Sequence, residues 1–279
     1  MKAPAVDAHP GGLQVELVEA AGILPSRYLS LGKGTPLAIE GQVVAEAQVC
    51  ISVNGREIAT FMCTPRELIE LAVGFLYNEG LIQSAADVRS AHVSQDGRCV
   101  DVWLWDSGME MPSRAIKTAG CGGGLTFDDL SGQHAPLESS VRASPHRLAE
   151  LMRDVHLGAA LYQQARGIHT AALADETGTL LQVEDMGRHN CLDKLAGAAL
   201  ARGLATEGLL LFSSGRISSE MINKARRLRT PIVCSRTSPT SLSLALAEAW
   251  NMAVVAYLRQ DRMRVYTHAW RLEGLPAGG

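Results

Sequence analysis

The residue of this chain best suited to covalent chemistry is Cys121, set in I-K-T-A-G-C-G-G-G-L-T-F from Ile116 to Phe127. A thiol reacts as the thiolate, which nearby cations and open access to solvent favour. Lys117 stands four residues upstream and Arg114 a little further. Four glycines surround the thiol; lacking a Cβ, they accept positive φ and resist both helix and strand, so an exposed, mobile loop that carries the thiol is expected. A structural cysteine is a small buried hydrophobe among apolar neighbours, a description that fits Cys50 and Cys234 instead. The pattern reads as a sulfur carrier or nucleophile, or as a glycine turn with an incidental cysteine.

A second constellation lies in three strand-to-helix loops of the C-terminal half. E-D-M-G-R-H-N brings Gly187, Arg188, His189 and Asn190 to a helix start. S-S-G-R-I-S-S-E brings Ser213, Ser214, Gly215 and Arg216, and S-R-T-S-P-T brings Arg236, with Ser238 as N-cap and Pro239 at the first helical position. Free amides at a helix N-terminus, small hydroxyls and an arginine make an anion site. Capping serines and surface-paired arginines would explain one such loop; three side by side suit a ligand with several phosphates. His169 and the Glu184-Asp185 pair fall at neighbouring strand ends, where His169 suits an acid or base as well as a hydrogen-bonded structural role. Arg259, Arg262 and Arg264, with Tyr257 or Tyr266 for stacking, are placed to complete a pocket wall.

The elements that must hold these residues divide the 279-residue chain in two. Residues 1–34 read as a lead-in. In 35–127, Asn54-Gly55 sits between two apolar runs as a tight hairpin. Thr64 as N-cap, Pro65 and a capping-box Glu67 open a helix closed by Gly80, and Val88–Val93 pairs with Cys99–Trp105 as a second hairpin. This small α+β unit ends in the Cys121 loop. A polar linker spans 128–143. In 144–279, Ser144-Pro145 opens a helix, two strands follow around 168–183, and then helices near 189–202, 218–228 and 239–250 alternate with strands 208–213, 231–234 and 252–258. That alternation predicts a largely parallel, helix-covered sheet with its ligand at the strand ends.

Composition narrows the function. The chain is 47% hydrophobic and 20% charged, as in ordinary globular proteins, and its net charge of −3 argues against a nucleic-acid binder with a broad basic surface. No apolar run approaches membrane-spanning length and Met1–Gly12 lacks the apolar core of a signal peptide, which predicts a cytoplasmic protein without a membrane partner. Six scattered cysteines without C-x-x-C fit reduced, individually placed thiols. His169 and His189 have no partners at ligand spacing, so no metal site is expected.

E-D-M-G-R-H-N-C-L-D-K at Glu184–Lys194, S-S-G-R-I-S-S-E-M at Ser213–Met221, S-R-T-S-P-T-S-L at Ser235–Leu242, R-M-R-V-Y-T at Arg262–Thr267 and the segment Thr64–Gly80 together resemble the formate dehydrogenase accessory sulfurtransferase family (FdhD/NarQ), as does the thiol loop. The resemblance runs from about residue 35 to 268. It implies an α/β chain: a C-terminal cytidine-deaminase-like α/β/α domain with a smaller N-terminal α+β domain, as a homodimer. It implies a sulfurtransferase that accepts persulfide sulfur from a cysteine desulfurase. The sulfur passes to the bis(molybdopterin guanine dinucleotide) molybdenum cofactor that formate dehydrogenase requires, with GDP as a mimic of the cofactor.

By position Cys121 matches the family's persulfide cysteine. Tyr257, Leu258, Arg259, Gln260, Asp261 and Arg262 match its cofactor-binding segment, with Arg188, His189, Ser214, Gly215, Arg216 and Arg236 as further contacts. Many members carry C-G-x-C where this chain reads Cys121-Gly122-Gly123-Gly124, which excludes a release step needing two loop cysteines. The rival reading is a non-enzymatic chaperone that binds and delivers the cofactor. A third reading, a nucleotide hydrolase or deaminase, has a pocket in its favour but no metal motif, because H-x-E and P-C-x-x-C are missing.

Overall fold

Asn54 and Gly55 take φ of 50° and 80°, the pair of positive values a two-residue hairpin turn requires. They join β3 (Ala47–Val53) to β4 (Arg56–Cys63) in the computed structural model, which describes residues 22–106 and 134–275 and the backbone of 116–117 and 125–126. Ahead of this hairpin, β1 (Ile23–Ser30) and β2 (Leu37–Val44) form a separate antiparallel ribbon. The ribbon starts inside the stretch read as a lead-in. Val44 and Ile23 root it on the second domain, whereas Leu29, Leu31 and Leu37 project exposed.

The helix α1 (Leu68–Asn78) and strands β5 (Val88–Val93) and β6 (Cys99–Leu104) complete the first domain as a four-stranded sheet in the order β4-β3-β6-β5. Alternation sends Val49, Ile51, Val53, Val100, Val102 and Leu104 to one face, where Phe61, Leu71, Phe75 and Leu76 meet them. The start of α1 departs from the expected capping box. Thr64 is not its cap; Glu67 is, in a left-handed conformation with no side-chain cap bond. The short ladder of β7 (Ile116–Lys117) with β8 (Leu125–Thr126) follows. Cys121, between them, lies outside the described residues.

The expected linker is partly built into the second domain, since Leu137 packs in its core and Ala143 bridges to Leu272. Next come α2 (Pro145–Gly158), opened by Ser144 and Pro145 as expected, and α3 (Ala160–Ala165). Then follow β9 (His169–Ala174), β10 (Thr179–Asp185), α4 (Arg188–Ala201), β11 (Leu210–Ser213), α5 (Ser219–Arg227), β12 (Ile232–Ser235), α6 (Ser241–Ala249), β13 (Ala253–Arg259) and β14 (Arg262–Val265). The sheet order is β10-β9-β11-β12-β13-β14. Only the pairs β11–β12 and β12–β13 are parallel; β9, β10 and β14 each pair antiparallel. The largely parallel sheet is therefore corrected to a parallel centre with antiparallel flanks, because 168–183 and 253–265 turn back tightly instead of crossing over. Leu173, Leu211, Val233 and Val254 face α4, α5 and α6, while Ala172, Phe212, Cys234 and Val255 face α2. The result is the α/β/α layering expected.

Helix α4 joins the domains. Arg188 through Ala199 are all buried, because α1 crosses its outer side. A Cβ on Gly74 would lie 1.8 Å from the Asp193 carbonyl oxygen, and one on Gly197 would lie 2.0 Å from that of Glu70. Glycine at both positions lets the two backbones touch.

Candidate functional site

The parallel strands β11, β12 and β13 end on one side of the sheet, and the loops that leave them surround a cavity of about 240 Å³. Ser214 follows β11, Arg236 and Thr237 follow β12, and Arg259 ends β13. His169 and Thr170 enter from the antiparallel β9, and α2 and α3 supply Met152, Val155, His156 and Tyr162 as a half-apolar wall.

Backbone bonds lock these loops together. The Arg236 amide donates to the Ser213 carbonyl at 3.3 Å and the Tyr257 amide to the Thr237 carbonyl at 3.1 Å. Arg259 Nε donates to the Arg236 carbonyl at 3.2 Å, and the Ser235 hydroxyl to the Gly215 carbonyl at 2.6 Å. Ile217 and the Ser238–Thr240 backbone form a further bridge. That bridge delays α6, whose cap is Thr240 in a capping box with Ser243; the expected cap at Ser238 is corrected by two residues.

Hydroxyls and imidazoles set the electrostatics. Ser214 Oγ accepts from the Thr170 amide at 3.0 Å and lies 3.2 Å from His169 Nδ1. Burial, then the positive charge of Arg188, push the His169 pKa below the ordinary histidine range. His156 Nδ1 accepts from the Arg236 guanidinium; burial, then Arg236 and Arg166, hold its pKa down as well. Both rings are therefore neutral at pH 7, and the arginines supply the positive charge. An anion arriving beside them would favour ring protonation.

The sequence candidates separate into three groups. Ser214, Arg236 and Arg259 line the cavity. Arg188 and Gly215 lie just behind it, with Arg188 packed where a Cβ on Gly215 would come 2.7 Å from its own Cβ. The rest point elsewhere. Arg216, Gln260, Asp261 and Arg262 are exposed outside the cavity, and Leu258 is core. Tyr257 takes φ of 52° and stacks under the Arg264 guanidinium at 4.3 Å. His189 faces away, 3.2 Å from Ser218 Oγ and 3.5 Å from Glu220. Burial, against the pull of Glu220, takes its pKa down to about 3. His156, Tyr162, Thr170 and Thr237 line the cavity without having been singled out. Thr237 sat inside a motif already quoted; His156 on a helix face left no local signal.

The remaining residues of the first loop serve the domain junction. Asp185 accepts from Lys194 at 2.7 Å, the Thr64 amide at 3.0 Å, the Gly187 amide at 2.7 Å and Asn190 at 2.9 Å. Lys194 also donates to the Thr64 carbonyl, and the Met186 amide to the Thr64 hydroxyl. Thr64 is thus a tether from the first domain, held by groups from the second. Nearby, Lys224 donates to both oxygens of Asp193, which also accepts from Asn78 of α1. Burial opposes the Lys224 charge, but the carboxylates of Asp193, Glu220 and Glu79 outweigh it and raise its pKa.

The profile of the FdhD/NarQ family matches residues 44–273. The chain belongs to the FdhD/NarQ family. It is 34% identical over 248 residues to the sulfur carrier protein FdhD of Shouchella clausii, across 86% of this chain and 93% of that protein. It is likewise 34% identical over 241 residues to the sulfur carrier protein FdhD of Bacillus subtilis, across 84% and 91%. The crystal structure of a formate dehydrogenase accessory protein from Desulfotalea psychrophila aligns with a TM-score of 0.73 at 26% identity, covering 90% of this chain and 100% of that one. In this FdhD/NarQ chain the stretch Glu184–Lys194 serves the domain junction, with Arg188 packed behind the cavity wall. Among the described residues no helix is long and apolar enough to cross a membrane.

Proposed function

We propose that the chain is a sulfurtransferase that takes persulfide sulfur from a cysteine desulfurase onto Cys121 and passes it to the bis(molybdopterin guanine dinucleotide) molybdenum cofactor destined for formate dehydrogenase. Relatives named sulfur carrier proteins support the carrier role. The observation that carries the assignment to Cys121 is the state of the other five cysteines. Cys50 and Cys99 are bonded to each other, and Cys63, Cys191 and Cys234 are buried. Burial, with Asp185 adding to it, pushes the Cys63 thiol up to about 12, and burial raises Cys191 and Cys234 too. None of these three is a nucleophile near neutral pH.

In the first step the Cys121 thiolate attacks the outer sulfur of the donor persulfide, that S–S bond breaks, and the donor thiolate leaves. In the second the bond between Cys121 Sγ and the outer sulfur breaks, Cys121 is left as a thiolate, and the outer sulfur is taken up by the cofactor as sulfide, with the two electrons drawn from a reduced metal centre of that substrate. The cavity suits the nucleotide end of such a substrate. Arg236 and Arg259 offer charge-assisted donors, Ser214 and Thr237 offer hydroxyls, and Tyr162 and Ile168 offer apolar surface for a base. At about 240 Å³ it is smaller than the roughly 300–1,000 Å³ that encloses a whole drug-sized ligand, so the remainder of the cofactor would lie outside it.

Incubation with a cysteine desulfurase and cysteine should add about 32 Da at Cys121. Cys121→Ala should lose both the adduct and activation of the client enzyme. Client activation at the wild-type rate by Cys121→Ala would instead make the chain a cofactor-delivery chaperone.

A further inference from the structure

Cys50 and Cys99 are direct partners on the parallel strands β3 and β6, with Cα atoms 4.4 Å apart and their sulfurs joined. This pairing corrects the expectation of six separate thiols. Alternation also fixes the face they occupy. Their neighbours Val49, Ile51, Val100 and Val102 point into the core under α1, so Cys50 and Cys99 point the other way. Gln48, Thr60 and Trp103 share that face and are exposed, and the two cysteines are half-buried. The pair is therefore open to small reagents, in contrast to the three enclosed thiols.

We infer that Cys50 and Cys99 form a second sulfur site, a dithiol that discharges the sulfane sulfur of a low-molecular-weight persulfide as hydrogen sulfide. In the reduced pair one thiolate attacks the outer sulfur of the persulfide, whose own thiolate leaves. The second thiolate then attacks the inner sulfur of the persulfide just formed. The Cys50–Cys99 bond forms, the bond to the outer sulfur breaks, and HS⁻ departs. The two thiols supply the two electrons that turn sulfane sulfur into sulfide, and a cellular dithiol returns the pair to its reduced form. Two sulfurs held within bonding range on adjacent strands are what the second attack requires. This chemistry does not depend on Cys121.

The test uses the full chain, reduced with a phosphine, freed of reductant and mixed with excess glutathione persulfide. The wild type and Cys121→Ser should each release a burst of about one sulfide per chain as the Cys50–Cys99 bond closes, costing the chain about 2 Da of hydrogen. Cys50→Ser and Cys99→Ser should lower that burst at least about tenfold and retain an added sulfur on the remaining partner. An undiminished burst in the double Cys50→Ser, Cys99→Ser chain overturns the proposal. So does loss of the burst in Cys121→Ser, which would assign the chemistry to the glycine loop. Peptide mapping of the wild type after mixing gives an outcome that needs no variant: absence of the Cys50–Cys99 bridge while sulfide is released also overturns it.

Discussion

The domain junction and the strand-end cavity use charge in opposite ways. At the junction the buried lysines are enclosed with their counter-ions: Lys194 with Asp185, and Lys224 with Asp193, all at most 2% exposed. Around the cavity Arg236 and Arg259 keep open sides, and their partners are carbonyls and a neutral imidazole. Enclosed charge with a full set of partners fixes one geometry. Charge left facing open space is available to a ligand. Loops that look alike in sequence therefore divide the work: Asp185 and Lys194 hold the molecule together, whereas Arg236 and Arg259 face open space.

The sharpest way to break the junction is to remove the room that brings its backbones together. Gly197→Val should destabilise the chain by more than about 3 kcal/mol, because the obstacle is a carbonyl and not a movable side chain. A shift of the urea midpoint smaller than this would mean that α1 slides to accommodate the substitution.

Removing one buried ion should cost slightly less or about the same. Lys224→Met leaves Asp193 and Glu220 enclosed without their cation, a loss on the order of 3–5 kcal/mol. The double variant with Asp193→Leu should recover much of it, and a double-mutant cycle in denaturant measures the coupling.

The third prediction concerns pH. The folded His189 pKa of about 3 lies well below the unfolded value near 6.5. The unfolded chain therefore takes up the proton first as pH falls. Stability from keeping this ring neutral is complete above about 6.5 and is lost as pH drops toward 3, by roughly 3 kcal/mol at pH 4.5. His189→Gln should show a correspondingly flatter stability curve between pH 7 and 4.5. Parallel curves for the two proteins would remove His189 from the account.

The smallest effects should appear at the cavity. Arg236→Ala should weaken GDP binding about tenfold, the loss of one charge-assisted contact, with no comparable change in the urea midpoint. Arg216→Ala should change it less than about twofold, because Arg216 is exposed outside the cavity. Equal losses at the two positions, by calorimetry, would move the anion site toward Arg216.

How much of this was legible depended on whether the deciding contacts were local. The Asn54-Gly55 turn, the start of α2 and the alternation from α4 to β13 could be read because turn chemistry and hydrophobic runs determine them within a few residues. Thr64 and Glu67 had the spacing of a capping box, yet the Thr64 amide goes to Asp185, 121 positions away. A local rule gave way to a distant, buried acceptor. Strand β1 was missed because most of it is exposed on both faces, so its sequence carries no alternation. In the site, Ser214, Arg236 and Arg259 were visible as residues at strand ends. His156 was not, since only the packing of α2 against the sheet brings it to Arg236.

The enclosure of α4 has a consequence for how the chain folds. Twelve of its residues need both neighbours in place, and a helix of 14 residues is marginal in water by itself. Neither half is then a self-sufficient folding unit. A calorimeter should record a single unfolding transition for the whole chain, and a cut between the halves should leave two insoluble fragments that regain structure only when mixed.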